Sequence, residues 1–169
     1  MARFAAFLRA VNVGGTGKLP KDDLVALCGA AGYQDARTYI ASGNVAFSFD
    51  GSAHSAQTAL EAELARYAGK KVRVFVRTAE EMQAIREGNP FPDKPGNRVI
   101  VLFLDDAPSA LQTGNVKGQS EEEIREGERV LYVRFPNGQG QSKLVIPGTH
   151  TARNMNTVTR LAEMTAGTK

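Results

Sequence analysis

A chain of 169 residues is long enough for one domain or for two small packed halves. Hydrophobic residues make up 42% and charged residues 23%, a balance that excludes a disordered chain. No run approaches the roughly 18 apolar residues of a membrane span, and the single cysteine, Cys28, excludes an internal disulfide framework. We therefore expect a cytoplasmic protein with no membrane contact. The net charge of +3 slightly favours anionic partners and falls short of a nucleic-acid-binding tail.

The first half predicts the order strand, helix, strand, strand, helix, strand. The predicted strands are residues 4–11, 36–40, 45–49 and 72–76, and the predicted helices run from Pro20 to Gly32 and from Ser55 to Tyr67. This order is that of a split βαβ, or ferredoxin-like, unit. We therefore predict an α+β fold whose N-terminal half, residues 1–77, forms one sheet with the strands in the order 4-1-3-2.

The second half begins with a capping box, because Thr78 and Glu81 have the required spacing at the start of a helix that ends near residue 87. Residues 98–104 are almost all apolar, which predicts a strand buried on both faces. A short helix over 108–113, a hairpin turning at Gly127 and a last helix over 154–165 follow. We predict that residues 78–169 form an α+β half packed against the first half as one compact unit, and a distant duplication stays open.

The glycine-rich loop within residues 9–20 has two interpretations, a structural turn or a weak anion site. A P-loop would need glycine at position 12 and serine or threonine at position 19, where the chain has Asn12 and Leu19. Asp22 and Asp23 in the first turn of the next helix would also repel a phosphate. We expect the glycines to serve backbone geometry first, with any ligand role secondary.

The predicted sheet brings this loop to the same end as the hairpin between the second and third strands. The candidate ligand-binding residues at that end are Arg9, Asn12, Gly14, Gly15, Lys18, Ser42 and Asn44. The amides of Asn12 and Asn44 are expected to fasten the turns by hydrogen bonds to backbone atoms. A further candidate is the start of the last helix, where Arg153 and Asn154 stand next to unpaired backbone N–H groups. Sequence alone leaves open whether this segment meets the other two.

The sequence gives little support for a metal site, a cofactor or an RNA-binding surface. His54 and His150 are far apart in the sequence, so we expect no metal site and no cofactor. One face of the first sheet mixes aromatic and basic side chains, as an RNA-binding surface does, but the third strand lacks the aromatic residues that stack on bases. We therefore expect this face to be buried, with Phe7 and Phe75 covered and the arginines at its edges. These arginines are Arg9, Arg37, Arg73 and Arg77.

Four ordered motifs, residues 9–20, 32–47, 89–91 and 151–161, resemble the bacterial family called domain of unknown function 1697. The resemblance covers nearly the whole chain. It implies a compact cytoplasmic protein of α and β structure with ferredoxin-like character, and it implies no established activity. The polar residues that match the family motifs are Arg9, Asn12, Ser42, Asn44, Arg153, Asn154 and Asn156.

Three functions follow as alternatives. The first is a binding protein that holds a small anionic ligand, phosphorylated or carboxylated, in a polar cleft. The second is an enzyme that acts on such a ligand through the electrostatics of arginine and asparagine. The third is weak association with nucleic acid. The identity of the ligand and the oligomeric state stay open.

Overall fold

A computed structural model describes residues 1–9, 19–39, 43–108 and 116–166. They form an α+β structure with two four-stranded antiparallel sheets and four helices, as the sequence predicts at this level. The chain divides into two compact units, Met1–Gln83 with Arg160–Lys169, and Ala84–Thr159. None of the helices in the described ranges is long and apolar enough to cross a membrane. The glycine loop, most of the first hairpin turn and nearly all of the predicted helix over 108–113 lie outside the described residues.

The first unit contains the predicted sheet. Its elements are β1 (Ala2–Leu8), α1 (Lys21–Ala30), β2 (Gln34–Thr38), β3 (Asn44–Phe49), α2 (Ala53–Ala68), β4 (Val74–Thr78) and the start of α3 (Ala79–Glu87). The strand order is β2-β3-β1-β4, and each neighbouring pair is antiparallel, so the predicted order 4-1-3-2 is confirmed. Most boundaries differ from the predicted ones by one to three residues. For example, β1 begins at Ala2 rather than at residue 4, β2 begins at Gln34 rather than at residue 36, and β4 begins at Val74 rather than at residue 72. Helix α1 begins directly after Pro20 rather than at it.

One face of this sheet carries the hydrophobic core beneath α1 and α2. The core includes Cys28 and Leu60, both of which are fully buried. Tyr33 stacks on Phe47 with the ring centroids 3.7 Å apart, and its hydroxyl donates to the Ala56 carbonyl at 2.6 Å. The aromatic ring therefore fills the core while its polar end is satisfied.

The opposite face is buried around Phe7 and Phe75, whose exposed fraction is zero, as predicted. These rings cannot stack on bases. The prediction that the arginines of this face lie at its edges is wrong for Arg77, which is 1% exposed and donates to the Val76 carbonyl. The partner of Arg77 in the neighbouring strand is Ala5, whose small side chain leaves room beside it for a long one.

The predicted capping box is present at the start of α3. The Glu81 backbone N–H donates to the Thr78 hydroxyl oxygen at 3.0 Å, and the Thr78 backbone N–H donates to the Glu81 carboxylate at 2.9 Å. Two N–H groups that the helix leaves without partners are thus satisfied reciprocally. This local prediction is confirmed.

The second unit has its own sheet. Its strands are β5 (Val99–Leu104), β6 (Glu123–Gly127), β7 (Val130–Arg134) and β8 (His150–Asn154), in the order β6-β7-β5-β8. Every residue of β5 is buried, and β6 and β7 form the predicted hairpin. Strand β8 is not predicted by the sequence. It pairs with β5 along its whole length, although only Thr151 of its side chains is buried.

The predicted last helix is α4 (Met155–Thr165), and it buries an apolar stripe that consists of Met155, Val158, Leu161 and Ala162. Its final turns belong to the first unit. There the Arg3 guanidinium donates to the Met164 carbonyl at 3.0 Å, and the Gln83 side-chain amide donates to the Ala162 carbonyl, also at 3.0 Å. The end of the helix is therefore tied to the first strand.

Candidate functional site

The end of β1 and the turn before β3 lie side by side, as the topology predicts. The Leu8 backbone N–H donates to the Gly43 carbonyl at 2.9 Å. Asn44 begins β3, and its side-chain amide donates to the Tyr39 carbonyl at 3.2 Å, so it fastens the hairpin to its own backbone. Arg9 and Asn44 are thus brought to the same end of the sheet. Five other candidates at this end lie outside the described residues. They are Asn12, Gly14, Gly15, Lys18 and Ser42.

Two arginines stand opposite each other at this end. The register that pairs Leu8 with Val74 continues by one residue, so Arg9 faces Arg73, and the Arg9 backbone N–H donates to the Arg73 carbonyl at 2.9 Å. Because side chains alternate along a strand, both arginines lie on the face of Phe7. Arg9 is exposed and the Arg73 side chain is 25% exposed. Two guanidinium groups therefore project from neighbouring strands at the rim of a buried face.

Glu61 of α2 fixes the inner of these two arginines. One oxygen of its carboxylate accepts the Val74 backbone N–H at 3.0 Å and lies 3.4 Å from the Arg73 Nε. The Arg73 guanidinium also lies over the Phe75 ring, 5.6 Å from its centroid. Held on one edge by a carboxylate and on one face by an aromatic ring, Arg73 has a defined orientation.

Three lysines lie at the same end of the first unit as the two arginines. Lys70 and Lys71 are exposed in the segment that joins α2 to β4, and Lys21 is exposed at the start of α1. The Tyr67 hydroxyl donates to the Asp23 carboxylate at 2.6 Å, which places the first turn of α1 against the last turn of α2.

No ion pair joins these lysines to a carboxylate of the described residues. We call this region the basic end, defined as Arg9, Lys21, Lys70, Lys71 and Arg73.

Sequence reasoning places Arg73 on the same face as Arg9 but does not select it as a binding residue. The strand order could have selected Arg73, because in the order 4-1-3-2 the end of the first strand lies beside the beginning of the fourth. The Glu61 contact has no such signal, since its position along a helix does not reveal which loop it reaches.

Arg153 and Asn154 lie in the second unit and are occupied by local contacts. The Arg153 guanidinium donates to the Thr151 hydroxyl oxygen at 2.9 Å and to the Ala152 carbonyl at 2.8 Å. Burial lowers the pKa of Arg153 to about 10, so it stays cationic at neutral pH. The Asn154 side-chain oxygen accepts the Thr157 backbone N–H at 2.9 Å. Asn154 is thus the cap of α4 and satisfies one of the N–H groups that an anion would use.

A small cavity of about 110 Å³ lies between two loops of the second unit. Its wall includes Glu122, which is 8% exposed. The carboxylate of Glu122 accepts the Ser142 hydroxyl at 2.5 Å and the Ser120 backbone N–H at 2.6 Å. These hydrogen bonds lower the pKa of Glu122. The ionised carboxylate joins the two loops by these hydrogen bonds, so the burial of Glu122 has a structural cause.

The comparisons with known proteins agree with the fold. A model of the family described as "Protein of unknown function (DUF1697)" matches residues 1–132. No curated protein matches this sequence. The structure is similar to that of the conserved bacterial protein SP0830 from Streptococcus pneumoniae, with a TM-score of 0.76 at 20% sequence identity over 97% of this chain and 98% of that one. A likeness at this identity concerns the fold alone.

Proposed function

We propose that this chain, which belongs to the DUF1697 family, binds a small anionic ligand, phosphorylated or carboxylated, at the basic end. The observation that carries the proposal is the position of Arg9 directly opposite Arg73 on neighbouring strands. Glu61 already neutralises part of the charge of Arg73. The exposed Arg9 and the lysines of the basic end leave an excess of positive charge there, which supports the binding of an anion.

The surroundings of the pair support the same function. Lys21, Lys70 and Lys71 add exposed positive charge at this end of the first unit, which is partly offset by Asp22 and Asp23 in the first turn of α1. The excess of positive charge attracts anions over about a Debye length of 8–10 Å. Arg73 is already oriented by Glu61 and Phe75, so less side-chain entropy is lost when a ligand binds. The basic end therefore combines long-range attraction with one preorganised contact.

The chemistry of the basic end supports binding over catalysis. Guanidinium groups do not exchange protons near neutral pH. The carboxylate of Glu61 is engaged with Arg73 and with the Val74 backbone, so it is poorly placed to act as a general base. We therefore propose a binding protein rather than an enzyme.

We further infer that the first unit is of the ferredoxin-like type and that the second is its distant duplicate. Both sheets list their strands in the same relative order, second-third-first-fourth. The bond from the Leu8 N–H to the Gly43 carbonyl has a counterpart in the second unit, from the Leu104 N–H to the Arg129 carbonyl, and each measures 2.9 Å. A bacterial, cytoplasmic setting fits the family resemblance and the single buried thiol, Cys28.

Calorimetric titration with inorganic phosphate and with acetate tests the proposed binding. We expect saturable binding of at least one of these anions to the native chain, and an increase in the melting temperature that follows anion concentration. Arg9→Ala is expected to abolish both effects while leaving the circular dichroism spectrum unchanged, because Arg9 is exposed.

Arg37→Ala is the matched control, since it removes the same charge from an exposed position on β2 of the same sheet. Binding should survive this substitution. Binding that is lost equally in both variants, or retained in both, contradicts a site at the basic end.

A further inference from the structure

Strand β6 forms the outer edge of the sheet of the second unit, in the order β6-β7-β5-β8. It pairs with β7 on one side, and no strand of the described residues pairs with it on the other side. An edge strand presents a row of backbone N–H and C=O groups that a further strand can use. The side of β6 that faces away from β7 is therefore a candidate surface for strand addition.

The hydrogen bonds of this sheet determine which backbone groups of β6 face outward. Residues 129 and 135, at the two ends of β7, bond to the β5 side of the sheet through the Arg129 carbonyl at 2.9 Å and the Phe135 N–H at 2.8 Å. Because successive residues of an antiparallel strand bond to opposite neighbours, the even-numbered residues of β7 bond to β6. In the register of the hairpin their partners are Glu123, Arg125 and Gly127. The backbone groups of Ile124 and Glu126 consequently point away from β7.

Three of these four outward groups have no hydrogen-bonding partner among the described residues. They are the N–H groups of Ile124 and Glu126 and the Glu126 carbonyl. The fourth, the Ile124 carbonyl, accepts Nη1 of the exposed Arg125 at 3.0 Å. An added strand would therefore displace only one exposed side-chain contact.

A groove of about 550 Å³ follows the same edge and is lined by Gln119 and by residues 122–126. This volume lies within the usual range of ligand sites, about 300–1,000 Å³. Because the wall of the groove is the edge strand itself, the groove suits an extended chain that lies alongside β6.

The charge of this edge selects the kind of chain. Residues 121–128 contain five glutamates and one arginine. Glu123 lies 2.6 Å from Arg134, whereas Glu126 and Glu128 are exposed and form no ion pair with the rest of the described chain. Pairing β6 with the β6 of a second copy would bring two acidic segments together, which is unfavourable. A basic segment is attracted instead.

We propose that β6 accepts an extended segment of a partner protein that carries basic residues on both sides of an apolar residue. The Ile124 side chain packs against the core of the second sheet, and side chains two residues away share its face. Glu122 and Glu126 therefore flank Ile124 on this face. The apolar residue of the partner lies beside Ile124, its basic residues lie toward the two glutamates, and its backbone bonds to Ile124 and Glu126.

The peptide acetyl-TKTVTKT-amide is the probe, because its lysines flank a central valine in either chain direction. Amide hydrogen exchange of the full chain, measured by NMR, reads out binding. At saturation we expect exchange of the Ile124 and Glu126 N–H groups to slow by at least about tenfold, and the Arg125 N–H, which already bonds to β7, to stay unchanged. The peptide acetyl-TKTPTKT-amide keeps the charge but lacks the central N–H, so it should bind at least about tenfold more weakly.

Three variants separate strand addition from simple charge attraction. Glu126→Lys is expected to weaken binding about tenfold, and Glu128→Lys, the same change in the hairpin turn, by less than about threefold. Arg125→Ala uncovers the Ile124 carbonyl and removes a positive charge, so it should tighten binding about threefold or more.

Equal losses in the two lysine variants, or equal binding of the valine and proline peptides, would reduce the effect to charge and overturn the proposal. Protection of Ile124 and Glu126 that rises with protein concentration in the absence of peptide would identify a second copy as the occupant and overturn it as well.

Discussion

Asn44 and Tyr39 are bonded to each other twice across the first hairpin. The Asn44 side-chain amide donates to the Tyr39 carbonyl at 3.2 Å, and the Tyr39 backbone N–H donates to the Asn44 carbonyl at 3.1 Å. Asn44 is 7% exposed, and a hydrogen bond lost from a buried side chain is costly because water does not replace it. This side chain therefore ties the residue that follows β2 to the first residue of β3.

Replacing Asn44 by alanine is expected to lower the free energy of unfolding by about 1–2 kcal/mol, because the Tyr39 carbonyl loses a partner in a partly buried setting. Urea denaturation monitored by circular dichroism measures the change. Gln34→Ala, at an exposed position of the neighbouring strand β2, is the control and should stay within about 0.5 kcal/mol of the native value. Equal effects of the two substitutions would show that the Asn44 amide does not hold the hairpin.

Two glycines close together in sequence are expected to respond to alanine in opposite directions. Gly29 lies within α1, and an added Cβ would meet no atom within 4 Å. Gly32 follows the helix with φ +94, a conformation that other residues rarely adopt. Gly29→Ala should therefore stabilise the protein by about 0.5–1 kcal/mol, and Gly32→Ala should destabilise it by about 1 kcal/mol or more. Differential scanning calorimetry decides, and melting temperatures that shift in the same direction contradict the argument.

The buried thiol of Cys28 predicts a loss of stability in alkaline solution. Burial raises the pKa of Cys28 from 9.0 to about 12. Between these two values the unfolded chain releases a proton that the folded chain retains, so the unfolded state gains stability as the pH rises. This group alone lowers the free energy of unfolding by up to about 1.4 kcal/mol per pH unit in that window.

Cys28→Ala isolates this contribution. Urea denaturation at intervals from pH 8.5 to 10 should show a steeper decline for the native chain than for the variant. Burial also raises the pKa of Tyr33 above its usual value of 10.0, so both proteins are expected to lose stability above pH 10. Parallel curves below pH 10 would mean that the Cys28 thiol ionises at an ordinary pH in the folded state.

The sequence predicts best those elements whose signals are local. The capping box of Thr78 and Glu81 needs only four consecutive residues, and the burial of β5 follows from a continuous apolar run. Strand β8 could not be predicted, because residues 150–154 show neither apolar alternation nor enrichment in β-branched residues. These residues form a strand only because β5 supplies hydrogen-bonding partners across the sheet.

The candidate site was predictable in its location and less so in its composition. Strand order alone brings Arg9 to the end where Asn44 begins β3, and the bond from Leu8 to Gly43 confirms that proximity. The burial of Arg77 and the contact of Glu61 with Arg73 depend on which side chains leave space in three dimensions. The sequence around an arginine does not show whether its guanidinium group is buried or exposed to solvent.

The hydrogen bond from Arg3 to the Met164 carbonyl joins residues that are 161 positions apart in the sequence. The first unit includes Arg160–Lys169, so a nascent chain that has emerged only as far as Thr159 already contains all four strands of the first sheet and still lacks the final turns of the helix bonded to Arg3. N-terminal domains generally fold first during synthesis. Here the contact between the first strand and this helix can form only after Ala84–Thr159 of the other unit has been synthesised.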